Sequence, residues 1–179
     1  MEITEIMLLS LALGMDCLVV SAGKGVLVRQ FRIGAFLMAV SFGLFQAFMP
    51  CLTYFVGQSV ARYVMPWRNI IACVLLIAIG SKTIADGRGA EPSISAGYGI
   101  TEILLLSVAT SIDALSAGVL LWGESNSRVV RAVAVIGLTS FMMSLFGTAI
   151  GTIAGKHISI NANYVTGALL IALGVWQVI

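Results

Sequence analysis

Six long apolar stretches follow one another along the chain, and each is about as long as a membrane-spanning helix. They cover residues 3–23, 34–60, 67–85, 100–122, 129–155 and 161–179. A helix that crosses the hydrocarbon core needs about 20 mainly apolar residues. Only 10% of the residues are charged, against about 25% in soluble domains, so a charged surface cannot enclose these stretches. The sequence therefore predicts an all-α, polytopic membrane protein with six transmembrane helices.

The two halves of the chain repeat each other. The segment ITEIMLLSLALGMDCLVVS (3–21) aligns with ITEILLLSVATSIDALSAG (100–118), with ten identities at a constant offset of 97. The identities include polar residues, among them the aspartates Asp16 and Asp113. A second match pairs LLIAIG (75–80) with LLIALG (169–174). We therefore divide the single transmembrane domain into repeat 1 (1–85), a polar linker (86–99) and repeat 2 (100–179).

The number of spans in each repeat determines how the repeats are oriented. Three is an odd number, so two consecutive copies cross the membrane in opposite directions and form an inverted repeat. In several transporter folds the substrate site lies at the interface of such repeats, near the bilayer midplane. The loops after helices 1, 3 and 5 carry six Lys and Arg residues, against four on the other side. The positive-inside rule places those loops in the cytoplasm and both termini outside.

The two aspartates are the residues most difficult to place in a membrane. Asp16 and Asp113 each lie about 13 residues into a span, near the centre of a ~30 Å hydrocarbon core. A lone charge there costs about 2.5–3.5 kcal/mol. Protonation, a bound cation or hydrogen bonds to polar neighbours would each compensate. Because an inverted repeat brings the two carboxylates towards one axis, their repulsion favours a shared proton or a cation between them.

Further oxygen ligands lie close to the aspartates in sequence. Thr110 and Ser111 precede Asp113, and Gln46 places an amide inside the second apolar stretch. Pro50 has no N–H to donate, so it would free the carbonyl of Gln46 one turn earlier. Carboxylate, carbonyl and hydroxyl oxygens suit Mg²⁺ and Mn²⁺. The predicted metal site therefore comprises both aspartates with Gln46, Thr110 and Ser111.

Charged residues nearer the helix ends have less specific interpretations. Glu5 and Glu102 form another symmetric pair, each 11 residues before its aspartate. They would either line an entrance or interact favourably with a helix dipole. Lys24 is expected to extend to the lipid headgroups.

These residues also carry a resemblance to a known family. The strings LALGMDCLVVSAGKG (11–25), FGLFQAFMP (42–50) and ATSIDALSAGV (109–119) resemble the MntP family of bacterial manganese efflux pumps, among the LysE-like small exporters. The resemblance implies export of Mn²⁺ across the inner membrane, with essential aspartates at positions 16 and 113. It also implies a motif at Gly23, Lys24 and Gly25. Mn²⁺ is then the substrate, and no cofactor is expected.

Several functional hypotheses follow from the sequence. The first is a Mn²⁺ exporter that works by alternating access, with protons as the coupling ion. Another divalent metal or a small amino acid is the alternative cargo. An intramembrane aspartyl protease would also use two aspartates, but no Gly-x-Gly-Asp motif surrounds either of them. A structural membrane protein would use the aspartates only for packing. Without a Walker motif, and with a net charge of only +2, neither ATP hydrolysis nor nucleic-acid binding is expected.

Overall fold

The computed structural model describes residues 3–29, 33–57, 62–63, 65–88, 98–157 and 161–178. Within these ranges the chain forms seven α-helices and no β-strand, which confirms the all-α prediction. A 3-10 turn at Met65–Trp67 leads into the third helix. The helices are α1 (Ile3–Val28), α2 (Ile33–Val56), α3 (Arg68–Asp86), α4 (Ile100–Ser111), α5 (Leu115–Leu120), α6 (Asn126–His157) and α7 (Ala162–Trp176).

The outer surface of the helix bundle is apolar, whereas hydroxyl groups are frequent inside it. Leu8, Phe48 and Ile153 expose 69%, 58% and 62% of their surface, while Ser107 and Ser144 are fully buried. Large apolar patches of this kind are stable against lipid and are rare on soluble monomers. In the described part of the chain, four helical segments are long and apolar enough to cross a membrane: Ile3–Val28, Ile33–Val56, Met65–Asp86 and Asn126–His157. The chain is therefore a multi-pass membrane protein.

Each apolar stretch of the sequence contains a helix, but one of them is interrupted. A continuous helix over 100–122 was expected, and this expectation is wrong because residues 112–114 form a turn between α4 and α5. Residues 58–60 of the second stretch and most of the predicted linker (86–99) lie outside the described residues. The last helix ends at Trp176, within the predicted range 161–179.

Helices α1 and α6 run parallel and approach each other closely through glycines. Gly147, Gly151 and Gly155 are spaced four residues apart on α6 and face successive carbonyl groups of α1. A Cβ added at Gly155 would lie 2.6 Å from the Val26 carbonyl oxygen, and one at Gly151 would overlap the Ala22 carbonyl. Small residues at this spacing let membrane helices pack backbone to backbone. The interface therefore has no room for larger side chains.

The substitution Gly151→Ala is expected to destabilise the protein by about 2 kcal/mol, since overpacking costs about 1–3 kcal/mol. Alanine favours helix formation over glycine by about 1 kcal/mol, so the clash must outweigh a gain in propensity. The measurement is the free energy of unfolding in mixed micelles, titrated with a denaturing detergent. Gly99→Ala is the control outside the interface, because its nearest contact would be 3.9 Å away and it bears only the smaller cost of alanine at the N-cap of α4. Equal stability of the two variants would contradict the close packing of α1 on α6.

Helix α2 packs antiparallel against α6 on the other side of the bundle. Gly43 and Gly137 face each other, and a Cβ added at either would lie 2.8–2.9 Å from the carbonyl oxygen of the other. Nearer the start of α2, the rings of Phe36 and Phe141 meet edge to face at 5.8 Å. These two contacts together establish that α2 and α6 run in opposite directions.

Helices α3 and α7 form a second antiparallel pair that also depends on glycine. A Cβ added at Gly80 would lie 2.8 Å from the Gly167 carbonyl oxygen. About two turns further along α7, a Cβ added at Gly174 would lie 3.1 Å from the Cys73 carbonyl oxygen. The two contacts are related by the offset of 94 that aligns LLIAIG (75–80) with LLIALG (169–174). Cys73 is equivalent to Gly167, and Gly80 is equivalent to Gly174. The two contacts therefore join the same two positions of the repeat in opposite order.

Candidate functional site

The side chain of Gln46 connects α1 to α4 in the centre of the bundle. It is fully buried on α2, and its Nε2 donates to the carbonyl oxygens of Leu13 and Thr110, both at 3.1 Å. Leu13 and Thr110 are equivalent positions of the repeated sequence, and each lies three residues before an aspartate. One amide thus holds two helices together, with Asp16 and Asp113 each within one turn of its contacts.

The helical segment that carries Asp113 is interrupted at this residue. Between α4 and α5 the N–H of Ala114 donates to the Ser111 carbonyl at 3.1 Å, a bond that spans three residues. The neighbouring bonds have the same spacing, so the backbone tightens into 3-10 geometry. In a regular α-helix the Ala114 N–H would instead bond to the Thr110 carbonyl. That carbonyl accepts the hydrogen bond from Gln46 instead.

The hydroxyl groups of Thr110 and Ser111 bend back onto α4. Thr110 donates to the Leu106 carbonyl at 2.9 Å, and Ser111 donates to the Ser107 carbonyl at 2.5 Å. Such bonds within a helix compete with its regular pattern and often bend it, which fits the break that follows at Asp113. Because both protons are used on the backbone, only the oxygen lone pairs remain for a cation. The assignment of these two residues as ligands stays a prediction.

Asp113 is half-buried and lies in a mixed electrostatic environment. The negative charge of Asp16 and the positive charge of Arg68 both act on it. Arg68 is the first residue of α3, and its guanidinium contacts the hydroxyl of Ser116 on α5. In the sequence, Arg68 is one of the four positively charged residues on the side opposite the predicted cytoplasmic loops. Nothing in the local sequence indicates this contact, because it depends on how α3 packs beside α4 and α5.

Asp16 is half-buried on α1 and bonds to a residue from the last helix. Its Oδ2 accepts a hydrogen bond of 2.9 Å from Nε2 of Gln177, which follows the end of α7. The sequence analysis did not single out Gln177. The available signal was an amide inside a long apolar stretch, the same signal that identified Gln46.

Three buried acceptor oxygens lie on residues in or beside this site and have no hydrogen-bond donor among the described residues. They are Oε1 of Gln46, Oδ1 of Asp113 and Oε1 of Gln177. A buried acceptor without a donor is costly, and a bound cation would satisfy it. No group of three His, Cys, Asp or Glu side chains converges within the described part of the chain. A cation at this site would therefore use neutral oxygens as well as carboxylates, a ligand set that suits hard divalent metals.

Lys24 and Glu102 form an ion pair that the sequence analysis did not predict. Their Nζ and Oε1 atoms are 2.7 Å apart, and Lys24 exposes only 3% of its surface. The expectation that Lys24 extends to the headgroups is therefore wrong, because α4 brings a carboxylate to it inside the bundle. Together with the link from Leu13 to Thr110 through Gln46, the pair establishes that α1 and α4 are antiparallel. Glu5 is exposed in the first turn of α1, at the other end of the bundle, and the entrance role of both acids stays a prediction.

The remaining motif residues pack helices against each other. The carbonyl of Gly23 accepts a 2.7 Å hydrogen bond from the Thr166 hydroxyl of α7, and Gly25 faces the backbone of α6. Pro50 lies inside an unbroken α2, and its carbonyl faces Gly118 of α5. The release of a carbonyl one turn before Pro50 stays a prediction.

The fold and this site define a class of protein: a polytopic α-helical membrane protein in which a buried amide joins the two helices that carry Asp16 and the Asp113 turn. A family model described as "Mntp: Putative manganese efflux pump" matches residues 29–178. The chain belongs to this family, which confirms the resemblance found in the sequence.

Individual relatives match over nearly the whole chain. A protein of Desulfitobacterium hafniense named "Putative manganese efflux pump MntP" is 33% identical, with 95% of this chain and 90% of the relative covered. "Putative manganese efflux pump MntP 1" of Wolinella succinogenes is 36% identical, with 95% and 93% covered. A third, from Aliarcobacter butzleri, is 35% identical, with 95% and 96% covered. No solved structure matches the chain.

Proposed function

We propose that this protein exports Mn²⁺ from the cytoplasm by alternating access, and that Asp16 and Asp113 bind the cation. The observation that carries the proposal is that Gln46 joins the backbones of α1 and α4 one turn before Asp16 and Asp113. Beside it lie buried acceptor oxygens without a donor among the described residues. The names of the relatives support manganese as the cargo. Oxygen ligands of this kind agree with that choice, since Mn²⁺ binds well to carboxylate and carbonyl oxygens.

A bound divalent cation would remove the main electrostatic problem of the site. Two ionised carboxylates close together in a region of low dielectric repel each other. Mn²⁺ between them neutralises both charges, and the Oε1 atom of Gln46 offers a neutral ligand. Thr110 and Ser111 are proposed as further ligands through their oxygen lone pairs. The two carboxylates neutralise the +2 charge of Mn²⁺, so the site needs no third acidic residue.

The six-span architecture is part of the proposal, with α4 and α5 together forming the fourth span. Repeat 1 (1–85) and repeat 2 (100–179) would be inverted copies on either side of the linker (86–99). Three antiparallel pairs support this arrangement, namely α1 with α4, α2 with α6 and α3 with α7. Each pair consists of helices that hold equivalent places in the two halves.

The transport cycle follows from that arrangement. Mn²⁺ from the cytoplasm displaces protons from the aspartates, one repeat then rocks against the other, and the site opens to the outside. Protons entering in exchange would couple export to the proton gradient, since intramembrane acids often relay protons. In the proposed orientation, which the positive-inside rule supports, the ends near Lys24 and Lys156 face the cytoplasm of a bacterial cell and both termini lie outside the inner membrane. Glu5 and Glu102 would line the two entrances.

The proposal is tested by measuring Mn²⁺ flux into proteoliposomes that contain the purified protein and a Mn²⁺-sensitive dye. We expect flux well above that of protein-free liposomes, and competition by excess Cd²⁺ or Fe²⁺ but not by amino acids. Mg²⁺ and Ca²⁺ in the same assay measure the selectivity of the site. A protein that carries an amino acid and leaves Mn²⁺ flux at the protein-free level would overturn the proposal.

A further inference from the structure

Gln177 is brought to the site by the way α7 packs on α1. The two helices are antiparallel: the Thr166 hydroxyl bonds to the Gly23 carbonyl, and Gln177 bonds to Asp16 further back along α1. Helix α7 therefore ends beside the middle of α1 rather than beside its end. The backbone N–H of Gln177 donates to the Leu173 carbonyl at 3.1 Å, which fixes the residue as a continuation of the helix.

The two ends of the Gln177 amide have different environments. Its Nε2 donates to Oδ2 of Asp16 at 2.9 Å, whereas its Oε1 is buried and has no donor among the described residues. An amide nitrogen can only donate and an amide oxygen can only accept. The hydrogen bond to Asp16 therefore orients the amide and leaves its oxygen available within the same side chain. The carbonyl end of α7 also carries partial negative charge, which favours a cation nearby.

The second aspartate has no equivalent of this amide. At the offset of 94, the counterpart of Gln177 in repeat 1 is Thr83, whose hydroxyl donates to the Ile79 carbonyl at 2.9 Å. From α3 the guanidinium of Arg68 contacts the hydroxyl of Ser116, three residues after Asp113, and a positive charge there opposes a cation. The surroundings of Asp16 are therefore more favourable for a cation than those of Asp113.

We propose that Gln177 is a further ligand of the transported cation, binding it through Oε1 next to Asp16. The proposal rests on the proposed function, because it assigns one more residue to the same site. It makes the site asymmetric, with a carboxylate and an amide on one side and a carboxylate near the positive charge of Arg68 on the other.

The test is Mn²⁺ binding to the purified protein in nanodiscs, measured by calorimetry and by the loss of the free-Mn²⁺ electron paramagnetic resonance signal. Gln177→Leu is expected to weaken binding about 10–100-fold, the loss typical when a residue bonded to a metal ligand is removed. Gln177→Glu keeps an oxygen at this position and adds a negative charge, so we expect binding at least as tight as in the wild type. Val178→Ala is the control on the neighbouring residue, which is 52% exposed.

The Glu variant separates a ligand from a residue that only positions Asp16. Glutamate can donate a hydrogen bond to Asp16 only while it is protonated, so binding is compared with the wild type at a low and a high pH. A ligand role predicts that Gln177→Glu binds at least as tightly as the wild type at high pH. A purely positioning role predicts that Glu and Leu weaken binding equally there, which would overturn the assignment. Unchanged binding in both variants would also overturn it. If the wild type binds Mn²⁺ and only Asp16→Asn abolishes binding, Gln177 is no ligand but the proposed function stands. A wild type that does not bind Mn²⁺ contradicts both proposals.

Discussion

Asp16→Asn and Asp113→Asn are each expected to reduce Mn²⁺ flux in proteoliposomes by about 10–100-fold. Asparagine has the size of aspartate and keeps one carbonyl oxygen, so the change removes little more than a negative charge. Interactions with a charged group are worth about 1.5–3 kcal/mol, and 1.36 kcal/mol corresponds to tenfold in rate. Because each aspartate supplies half of the acidic charge proposed for the site, neither change can be compensated by the other residue.

Stability measurements separate this loss from a loss of folding. Removing a buried charge that has no full partner in the empty protein should leave stability unchanged or raise it, as for other buried charges. Asp86→Asn is the matched control, since Asp86 is exposed at the end of α3. We expect it to transport Mn²⁺ like the wild type. Flux in Asp16→Asn or Asp113→Asn equal to that of the control would remove the aspartates from the transport path.

The sequence was sufficient to predict that the apolar stretches form helices. A chain in lipid must satisfy its backbone groups within each span, so apolar stretches of about 20 residues leave little choice but helix. The offset of 97 identified Asp16 and Asp113 as equivalent positions before any contact was known. The same offset makes Leu13 and Thr110 equivalent, and the structure joins these two residues through Gln46.

The features that the sequence did not predict all depend on contacts between distant segments. The break at Asp113 contains neither Pro nor Gly, and it becomes understandable only with the back-bonded hydroxyls and the bond from Gln46 to the freed carbonyl. Arg68 and Gln177 enter the site because α3 and α7 pack beside α4 and α1. Lys24 resembles an interfacial lysine in sequence, but its partner Glu102 is 78 residues away. Periodicity and composition carry no information on such pairs.

Glu102→Gln is expected to destabilise the protein by about 3–5 kcal/mol, the usual cost of leaving one charge of a buried pair unpaired. The charge left behind is that of Lys24, whose side chain is only 4% exposed. Lys24→Met should cost much less, about 1 kcal/mol, since the remaining Glu102 side chain is 30% exposed and can be hydrated. The free energy of unfolding in mixed micelles measures both. Equal losses in the two variants would mean that burial of Lys24 does not determine the cost.

The double variant Lys24→Met/Glu102→Gln should recover most of the stability lost in Glu102→Gln, because it removes the unpaired charge along with its partner. The other end of the bundle supports this expectation. There the counterpart of Lys24 is Leu121, which is buried against Ile6 in an apolar cluster. The fold thus already accommodates an apolar residue at this position of the repeat. A double variant as unstable as Glu102→Gln would show that Glu102 stabilises α4 by other means, and that the ion pair is not what joins α1 to α4 at this end.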